Sequence, residues 1–287
     1  MKKFFVSIML MINFMTIVSL AQETPNVFTY KVGSVEICLL SEGQGTGNSN
    51  IFVGATPEII QQCLNDGSYP NSCNAFLLRL KGKNVLVDTG YGRNLIDNLK
   101  SVGVSPEQIN AVLITHAHGD HIGGMLKDGQ AVFANAELYL SKKEYDFCMD
   151  ESDRNANARA VIDAYKSKLH TFDANTIDAK PKELFSGIRA IAALGHTPGH
   201  TMYMVESGKE KLLIWGDLTH AMAIQMPYPN VAMTYDTNCE MAIAARTKIL
   251  NYVADNNIAI AGMHIAFPGI GKITKAATGG YVFTEVK

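Results

Sequence analysis

The sequence predicts an α/β fold in which two β-sheets pack together with helices on their outer faces. Three observations support this prediction. Strand and helix patterns alternate in two successive halves of the chain, and polar residues follow where predicted strands end. No Pro/Ser-rich linker, charge block or short repeat divides the sequence, and we therefore expect residues 22–287 to form one domain.

Period-two apolar patterns with turn residues between them mark the strands, and apolar residues at helical spacing mark the helices. In the first half, the predicted elements are two strands within 74–90, a helix over 93–103, a short helical turn at 105–107 and a strand over 109–115. In the second half, they are strands over 136–141, 188–194, 202–207, 211–217, 258–264 and 280–286, with helices over 142–169 and 239–256.

Residues 1–21 are typical of a secretory signal peptide. Lys2 and Lys3 precede an uncharged apolar stretch that closes with Ser19-Leu20-Ala21. A membrane anchor is the alternative, but no basic stop-transfer cluster follows. We expect cleavage after Ala21, a periplasmic or secreted chain, and no membrane partner after cleavage.

The charge of the chain gives no indication of a nucleic-acid partner. There are 25 Lys and Arg against 27 Asp and Glu, and loss of Lys2 and Lys3 with the signal peptide leaves a net charge of −4. Five cysteines in an exported protein permit disulfides. Cys63 and Cys73 are the only close pair, and their spacing suits either a bridge or two separate buried thiols.

The segment ITHAHGDHIGG, residues 114–124, carries four potential metal ligands in six positions. In extended backbone, His116, His118 and Asp120 alternate and therefore point to one side. His121 breaks this alternation and cannot easily join the same cluster, which indicates a second metal-binding position nearby. Imidazole and carboxylate suit zinc or a similar divalent cation. A solvated loop is the alternative, but the density of ligands argues against it, and we predict a metal site.

The other histidines of the chain support a metal site. Of eight histidines, only His170 lies outside a strand-end motif, and we expect it on the surface. Gly119, Gly123 and Gly124 are expected to let the backbone bend closely around an ion.

These motifs resemble those of the metallo-β-lactamase superfamily. Its H-x-H-x-D-H signature stands here as His116 to His121, and further motifs follow in the family's order: VDTG (87–90), GHTPGHT (195–201), WGD (215–217) and AGMH (261–264). The resemblance covers most of the chain after residue 21. It implies an αββα sandwich with metals at one edge of the two sheets.

The resemblance also implies a ligand set for two divalent ions, with zinc the expected metal. One ion would take His116, His118 and His196, the other Asp120, His121 and His264, and Asp217 would bridge them. In relatives with the GHTPGH motif the first histidine is the ligand, which favours His196 over His200. His200 then orients a ligand or is an ordinary buried histidine. Asp88 accepts an imidazole N–H or is a turn aspartate.

Two ions held by these residues imply a hydrolase. A water bridging them would be hydroxide near pH 7 and would attack a carbonyl or phosphoryl centre. Asp120 would transfer the proton of this attacking hydroxide. His220, three residues after Asp217, would touch the substrate or leaving group as a general acid. A surface histidine is the alternative for His220.

Residues 212–238 and 264–273 resemble the exported methyl parathion hydrolase type, itself close to acyl-homoserine lactonases. This implies a small-molecule lactone, ester or phosphotriester substrate, and a homodimer is expected from the same likeness. In many such lactonases a tyrosine takes the place of His220, which favours the parathion-hydrolase branch. An apolar cluster follows Asp217 and either lines an acyl or aryl pocket or packs in the core or a dimer interface: Met222, Met226, Pro227, Tyr228, Pro229 and Met233.

Three alternatives stay open. A zinc β-lactamase is one, although Asp217 counts against it. A glyoxalase-II-like thioesterase is another, although few residues follow His264 for a helical substrate domain. A secreted zinc-storage protein belongs to a different class, and it predicts saturated coordination, whereas three protein donors per ion and a bridge leave positions open.

Overall fold

The computed structural model describes residues 26–64, 66–150 and 155–286. The predicted signal peptide lies outside these ranges, and the boundary at residue 22, the export and the homodimer stay predictions. Within the described ranges, no helix combines the length and apolar character needed to cross a membrane.

Short strands make up most of the regular structure. In chain order they are β1 (Val27–Val32), β2 (Val35–Asn48), β3 (Phe52–Val53), β4 (Ser68–Leu80), β5 (Lys83–Val87), β6 (Ile109–Leu113), β7 (Leu126–Lys127), β8 (Gln130–Ala131), β9 (Glu137–Ser141), β10 (Leu169–Phe172), β11 (Lys182–Phe185), β12 (Ile188–Ala192), β13 (Thr201–Ser207), β14 (Glu210–Ile214), β15 (Ala232–Met233), β16 (Ala259–Ala261), β17 (Ile270–Lys275) and β18 (Tyr281–Glu285). The α-helices are α1 (Pro57–Cys63), α2 (Leu95–Ser101), α3 (Gly119–Ile122), α4 (Lys142–Cys148), α5 (Ala156–Ala164), α6 (Met222–Gln225) and α7 (Cys239–Asp255).

The strands form two seven-stranded sheets that face each other. The first has the order β1-β2-β4-β5-β6-β9-β10 and the second β11-β12-β13-β14-β16-β17-β18. Apolar side chains of both sheets, such as Leu39, Phe76, Tyr203 and Ile214, form the buried layer between them. Two further apolar layers join the sheets to helices, α2 and α5 on one side and α7 on the other. The predicted αββα sandwich is confirmed.

The direction of the strands brings the loops of interest to one edge. β5 and β6 are parallel, as are β14 and β16, and β12 runs in the same direction as β14 because both pair antiparallel with β13. The loops after parallel strands leave a sheet at the same edge. The predicted histidine and aspartate motifs follow these five strands.

The helical region predicted over 142–169 is present as separate helices rather than one continuous helix. The structure has α4 and α5 within it, and from Leu169 the chain forms β10, which pairs in parallel with β9. β1, β2 and β17 were not predicted at all. The second half of β2 is rich in glycine and polar residues and is held by its long pairing with β4, because pairing with a neighbour overrides weak strand propensity.

All five cysteines are free. Of the two alternatives for Cys63 and Cys73, the structure has separate thiols. Cys73 is buried, with its Sγ 3.5 Å from the carbonyl oxygen of Asp120.

A buried arginine holds the loop between Asp217 and β15. Arg246 of α7 is 1% exposed, and its guanidinium donates hydrogen bonds to the carbonyl oxygens of Leu218 (2.7 Å), Pro229 (2.9 Å) and Val231 (2.8 Å). Burial lowers its pKa to about 10, so it stays charged at neutral pH. One buried cation therefore supplies hydrogen-bond donors to three backbone carbonyl groups of this loop.

We expect Arg246→Met to lower the free energy of unfolding by about 3 kcal/mol or more, because buried carbonyls lose charged donors worth about 1.5–3 kcal/mol each. Lys248→Met, two residues along the same helix, is the control. Lys248 pairs with Asp178 on the surface and its loss should cost below about 1 kcal/mol. Urea unfolding measures both, and equal midpoints would contradict this role of Arg246.

Candidate metal centre

Three histidines from the two sheets converge on one point, and we call them the first donor set. They are His116 and His118, after β6, and His196, after β12. The Nε2 of His116 lies 2.9 Å from the Nδ1 of His118 and 3.1 Å from the Nε2 of His196, and the third distance is 3.0 Å. Burial lowers the pKa of His118 to about 4 and that of His116 well below its ordinary value, so both are neutral at pH 7.

A second donor set lies beside the first and consists of Asp120, His121 and His264. The Nε2 atoms of His121 and His264 lie 3.7 Å and 3.5 Å from the Oδ2 of Asp120. These three ligand atoms are close enough together to hold one metal ion. Asp120 is 22% exposed at its side chain and is the most open member.

Asp217 lies between the two donor sets, in a short turn after β14. Its Oδ2 is 3.5 Å and 3.3 Å from the Nε2 atoms of His116 and His196. Its Oδ1 is 3.1 Å and 3.2 Å from those of His121 and His264. Burial alone would raise the pKa of Asp217, but the facing imidazoles hold it well below the usual range. The buried carboxylate therefore stays ionised and faces both sets.

Most of the imidazoles have their outer nitrogen fixed by a neighbour. These pairs are His116 with the Thr115 hydroxyl (3.1 Å), His121 with Asp88 (2.7 Å), His196 with Asp236 (2.8 Å) and His264 with the Ser72 carbonyl (2.8 Å). An imidazole that donates outward turns its other nitrogen inward as a ligand.

The donors fit divalent cations. The Nε2 of His121 and the Oδ1 of Asp217 are 3.1 Å apart but are not aligned as a hydrogen bond, and in the described part of the chain neither buried atom has another hydrogen-bond partner. Buried polar atoms are rarely left unpaired unless another group takes them. Imidazole nitrogens and carboxylate oxygens at this spacing are suitable ligands for zinc or a similar ion.

His200 lies behind Asp217 and does not face either donor set. Its Nδ1–H donates to the carbonyl oxygen of Ala193 (3.0 Å), and its Nε2 accepts the backbone N–H of Asp217 (2.9 Å). Burial lowers its pKa to about 3. Since both ring nitrogens are engaged, His196 is the histidine of the GHTPGH motif that enters the cluster.

His220 is buried rather than on the surface, with 4% of the residue exposed. Its Nε2 lies 2.9 Å from the Oδ2 of Asp217, and its ring stacks on His264 at a centroid distance of 5.0 Å. Gln225 fixes its backbone by accepting the His220 N–H at 2.7 Å. Outside both sets, His170 is exposed and pairs with Glu137, as predicted.

Sequence reasoning missed Asp236 and Thr115. Asp236 accepts the Nδ1–H of His196 and the backbone N–H of Met233 (2.9 Å). The Thr115 hydroxyl donates to Asp88 at 2.7 Å and so accepts from His116. Neither residue belongs to the spaced histidine and aspartate motifs by which the other site residues were found. The adjacency of Thr115 to His116 was the only available signal.

A family model described as the metallo-beta-lactamase superfamily matches residues 68–256, which is more than half of the chain. This match includes both histidine motifs and Asp217. The chain belongs to the metallo-beta-lactamase superfamily. The likeness predicted from the H-x-H-x-D-H signature is confirmed.

Two solved structures are similar over nearly the full length. Hydrolase AbOPH of the beta lactamase superfamily has a TM-score of 0.83 and 28% identity, over 93% of this chain and 99% of its own. AidC, a dizinc quorum-quenching lactonase in complex with the product N-hexnoyl-L-homoserine, has a TM-score of 0.81 and 28% identity, over 91% of this chain and 98% of its own.

Curated relatives are matched only in part. An N-acyl homoserine lactonase from Bacillus cereus is 23% identical, over 48% of this chain and 60% of the relative. The exodeoxyribonuclease WalJ from Streptococcus pneumoniae is 33% identical, over 30% of this chain and 34% of the relative. The chain thus spans a third to three fifths of these two proteins.

In this member of the superfamily, a cleft of about 450 Å³ opens over both donor sets. Its walls include Ile51, Tyr69, Tyr91 and Tyr235, and none of its lining residues is Lys or Arg. A neighbouring cavity of about 430 Å³ shares Tyr235 and His118 with it. The site is therefore reached past aromatic side chains, and its lining carries no Lys or Arg.

The methionines after Asp217 do not line this cleft. Met226 is 3% exposed and Met233 is fully buried, while Met222 packs against the apolar layer of the second sheet. Packing in the core is therefore the correct one of the two interpretations.

The glycines of the signature act differently from the expectation. None of Gly119, Gly123 and Gly124 has a positive φ. Instead, Gly124 lies against the loop after β5, where an added Cβ would be 2.7 Å from the carbonyl oxygen of Thr89. An added Cβ at Gly119 would meet nothing within 4 Å. Close packing of two loops, rather than bending around an ion, requires the glycine at position 124.

We expect Gly124→Ala to lower the free energy of unfolding by about 1–3 kcal/mol through overpacking. Gly119→Ala has space for its methyl group and should change stability by less than about 1 kcal/mol. Guanidinium unfolding of the metal-free proteins measures both. A Gly124→Ala protein as stable as Gly119→Ala would show that the contact with Thr89 is not restrictive.

Proposed function

We propose that this protein is a hydrolase that uses two divalent metal ions to cleave lactone, ester or phosphotriester bonds. The observation that carries the proposal is the position of Asp217, whose two oxygens face two different donor sets. Two-metal hydrolytic sites hold their ions close together. A carboxylate that is shared by both donor sets would keep two ions at such a short separation. The likeness to the dizinc lactonase AidC supports it.

In this proposal the first donor set holds one ion, the second holds the other, and Asp217 bridges them. Zinc is the proposed metal because the donors are imidazole and carboxylate, and the lack of cysteine in the ligand clusters argues against a purely structural zinc site. The ring nitrogens that face inward are oriented by outer hydrogen bonds. His200 supports the bridge by accepting the backbone N–H of Asp217.

When bound, such ions would polarise a carbonyl or phosphoryl oxygen and would supply hydroxide near neutral pH. Asp120 and His220 line the cleft and would act on the substrate from the protein side. The second carboxylate oxygen of Asp120, Oδ1, which is not needed as a ligand, would take up a proton and pass it to the leaving oxygen. The imidazole of His220 would contact that oxygen and stabilise its developing charge, for which its Nε2–H would have to turn from the Oδ2 of Asp217, 2.9 Å away.

The cleft favours neutral substrates with an apolar group. Tyr69, Tyr91 and Tyr235 offer ring faces and edges, and Tyr91 and Tyr235 are 47% and 40% exposed. A β-lactam drug or a glutathione thioester carries a carboxylate, and the lining residues offer it no Lys or Arg. Neutral lactones, aryl esters and phosphotriesters carry no such charge. An open cleft above the donors also argues against a storage protein.

A hydrolysis screen of zinc-loaded protein tests the proposal. The panel contains acyl-homoserine lactones, δ-lactones, aryl esters, a paraoxon-like triester, a glutathione thioester and a cephalosporin. We expect turnover of one or more neutral substrates and none of the two anionic ones. Turnover of the cephalosporin alone would overturn the proposed substrate class, and about two bound metals with no turnover would favour storage.

Substitution of the bridge and of its support tests the ligand assignment. We expect Asp217→Ala to lose bound metal and to lower activity by at least about 100-fold, since both donor sets lose a shared ligand. His200→Ala should retain both metals, because neither ring nitrogen of His200 faces them. Metal content after desalting, measured by elemental analysis, compares the two. Loss of metal from His200→Ala with retention in Asp217→Ala would refute the assignment.

A further inference from the structure

Glu144, near the amino end of α4, connects two loops that carry the first donor set. It is 1% exposed. Its Oε1 accepts the backbone N–H of Ala117 at 2.9 Å. Its Oε2 accepts the hydroxyl of Thr197 at 2.6 Å and the backbone N–H of Gly199 at 3.1 Å. One buried carboxylate thus receives three donors from two separate segments.

The groups that donate to Glu144 are sequence neighbours of the three histidines of the first donor set. Ala117 stands between His116 and His118, after a strand of the first sheet. Thr197 follows His196, after a strand of the second sheet. The two segments belong to different sheets and are not paired as strands; one backbone hydrogen bond joins them, from the N–H of Thr201 to the carbonyl oxygen of Thr115 (2.9 Å), beyond the two loops themselves. Glu144 spans this junction.

The backbone of α4 also packs directly against the second loop. An added Cβ at Gly199 would lie 2.0 Å from the backbone nitrogen of Glu144. The hydroxyl of Ser141, the residue that caps α4, donates to the carbonyl oxygen of Gly199 at 2.7 Å and accepts the N–H of Glu144. The helix and the loop therefore have little freedom to shift against each other.

We infer that Glu144 is a positioning residue that sets the spacing of His116 and His118 against His196 and thereby the metal affinity of the first donor set. The inference rests on the proposed metal centre. All three partners of Glu144 are donors, so each of the two loops needs an acceptor oxygen from this side chain. Glutamine has one oxygen, and its NH₂ group would face a donor of one loop. That loop must then move or lose its hydrogen bond.

The experiment compares wild type, Glu144→Gln and Glu42→Gln. Glu42 is the matched control, because it is 2% exposed and accepts backbone N–H groups of Arg93 and Asn94 without contact to either ligand loop. Each metal-free protein is titrated with Zn²⁺ against a competing chelator, and with Co²⁺ to record the absorption spectrum of the bound ion.

We expect Glu144→Gln to weaken one of the two zinc-binding steps by about 10–100-fold, the range typical of residues that orient ligands, and to change the Co²⁺ spectrum. Glu42→Gln should keep both steps within about threefold of wild type. Unchanged affinities in Glu144→Gln, or an equal loss in Glu42→Gln, would overturn the inference.

Thr197→Val keeps the test decisive if Glu144→Gln does not fold. It removes one of the three donors and should weaken the same step by a smaller factor. If the folded Thr197→Val protein binds zinc like wild type, Glu144 does not set the affinity. A wild-type protein that binds no zinc would instead contradict the proposed function. The failure of the proposed function can therefore be distinguished from the failure of the inference about Glu144.

Discussion

The burial of the Asp217 carboxylate is the constraint on which the rest of the site depends. A charge removed from water is costly unless other groups compensate for it. Around Asp217 the nearest compensating groups are imidazoles, which approach both of its oxygens within 3.5 Å. His200 fixes the backbone of Asp217 from behind. The donor sets are thus arranged around one ionised group.

The site is also a junction between the two sheets. Ligand-bearing loops come from both sheets, and buried polar side chains connect them. Glu144 connects the loops of the first donor set. On the other side, Asn74 of the first sheet donates to the carbonyl oxygens of Gly262 (3.1 Å) and Ile265 (2.8 Å), which flank His264. Directional hydrogen bonds of this kind fix a geometry more strictly than apolar packing does.

The cleft and the metal centre share residues that are neighbours in sequence. Tyr235 forms part of the cleft wall, and Asp236 orients His196. Their loop packs beside the segment that Arg246 and Gln225 hold. A substitution in the cleft wall that shifts Asp236 would therefore disturb His196 as well. Tyr235 and Asp236 thus connect the cleft wall to the first donor set through adjacent backbone.

The sequence by itself determined the hairpin of β4 and β5, the strand-end positions of the histidine motifs and the superfamily, because these depend on local patterns and short spacings. Only the tertiary structure decided that His196 rather than His200 enters the cluster, since the two are equivalent in spacing. It also decided the roles of Glu144, Asp236 and Arg246. In the sequence, Glu144 reads as part of the capping pattern of its own helix, Asp236 as a loop residue and Arg246 as an ordinary helical residue. The partners that give them these roles lie 15 to 55 residues away, and single residues with distant partners leave no local pattern.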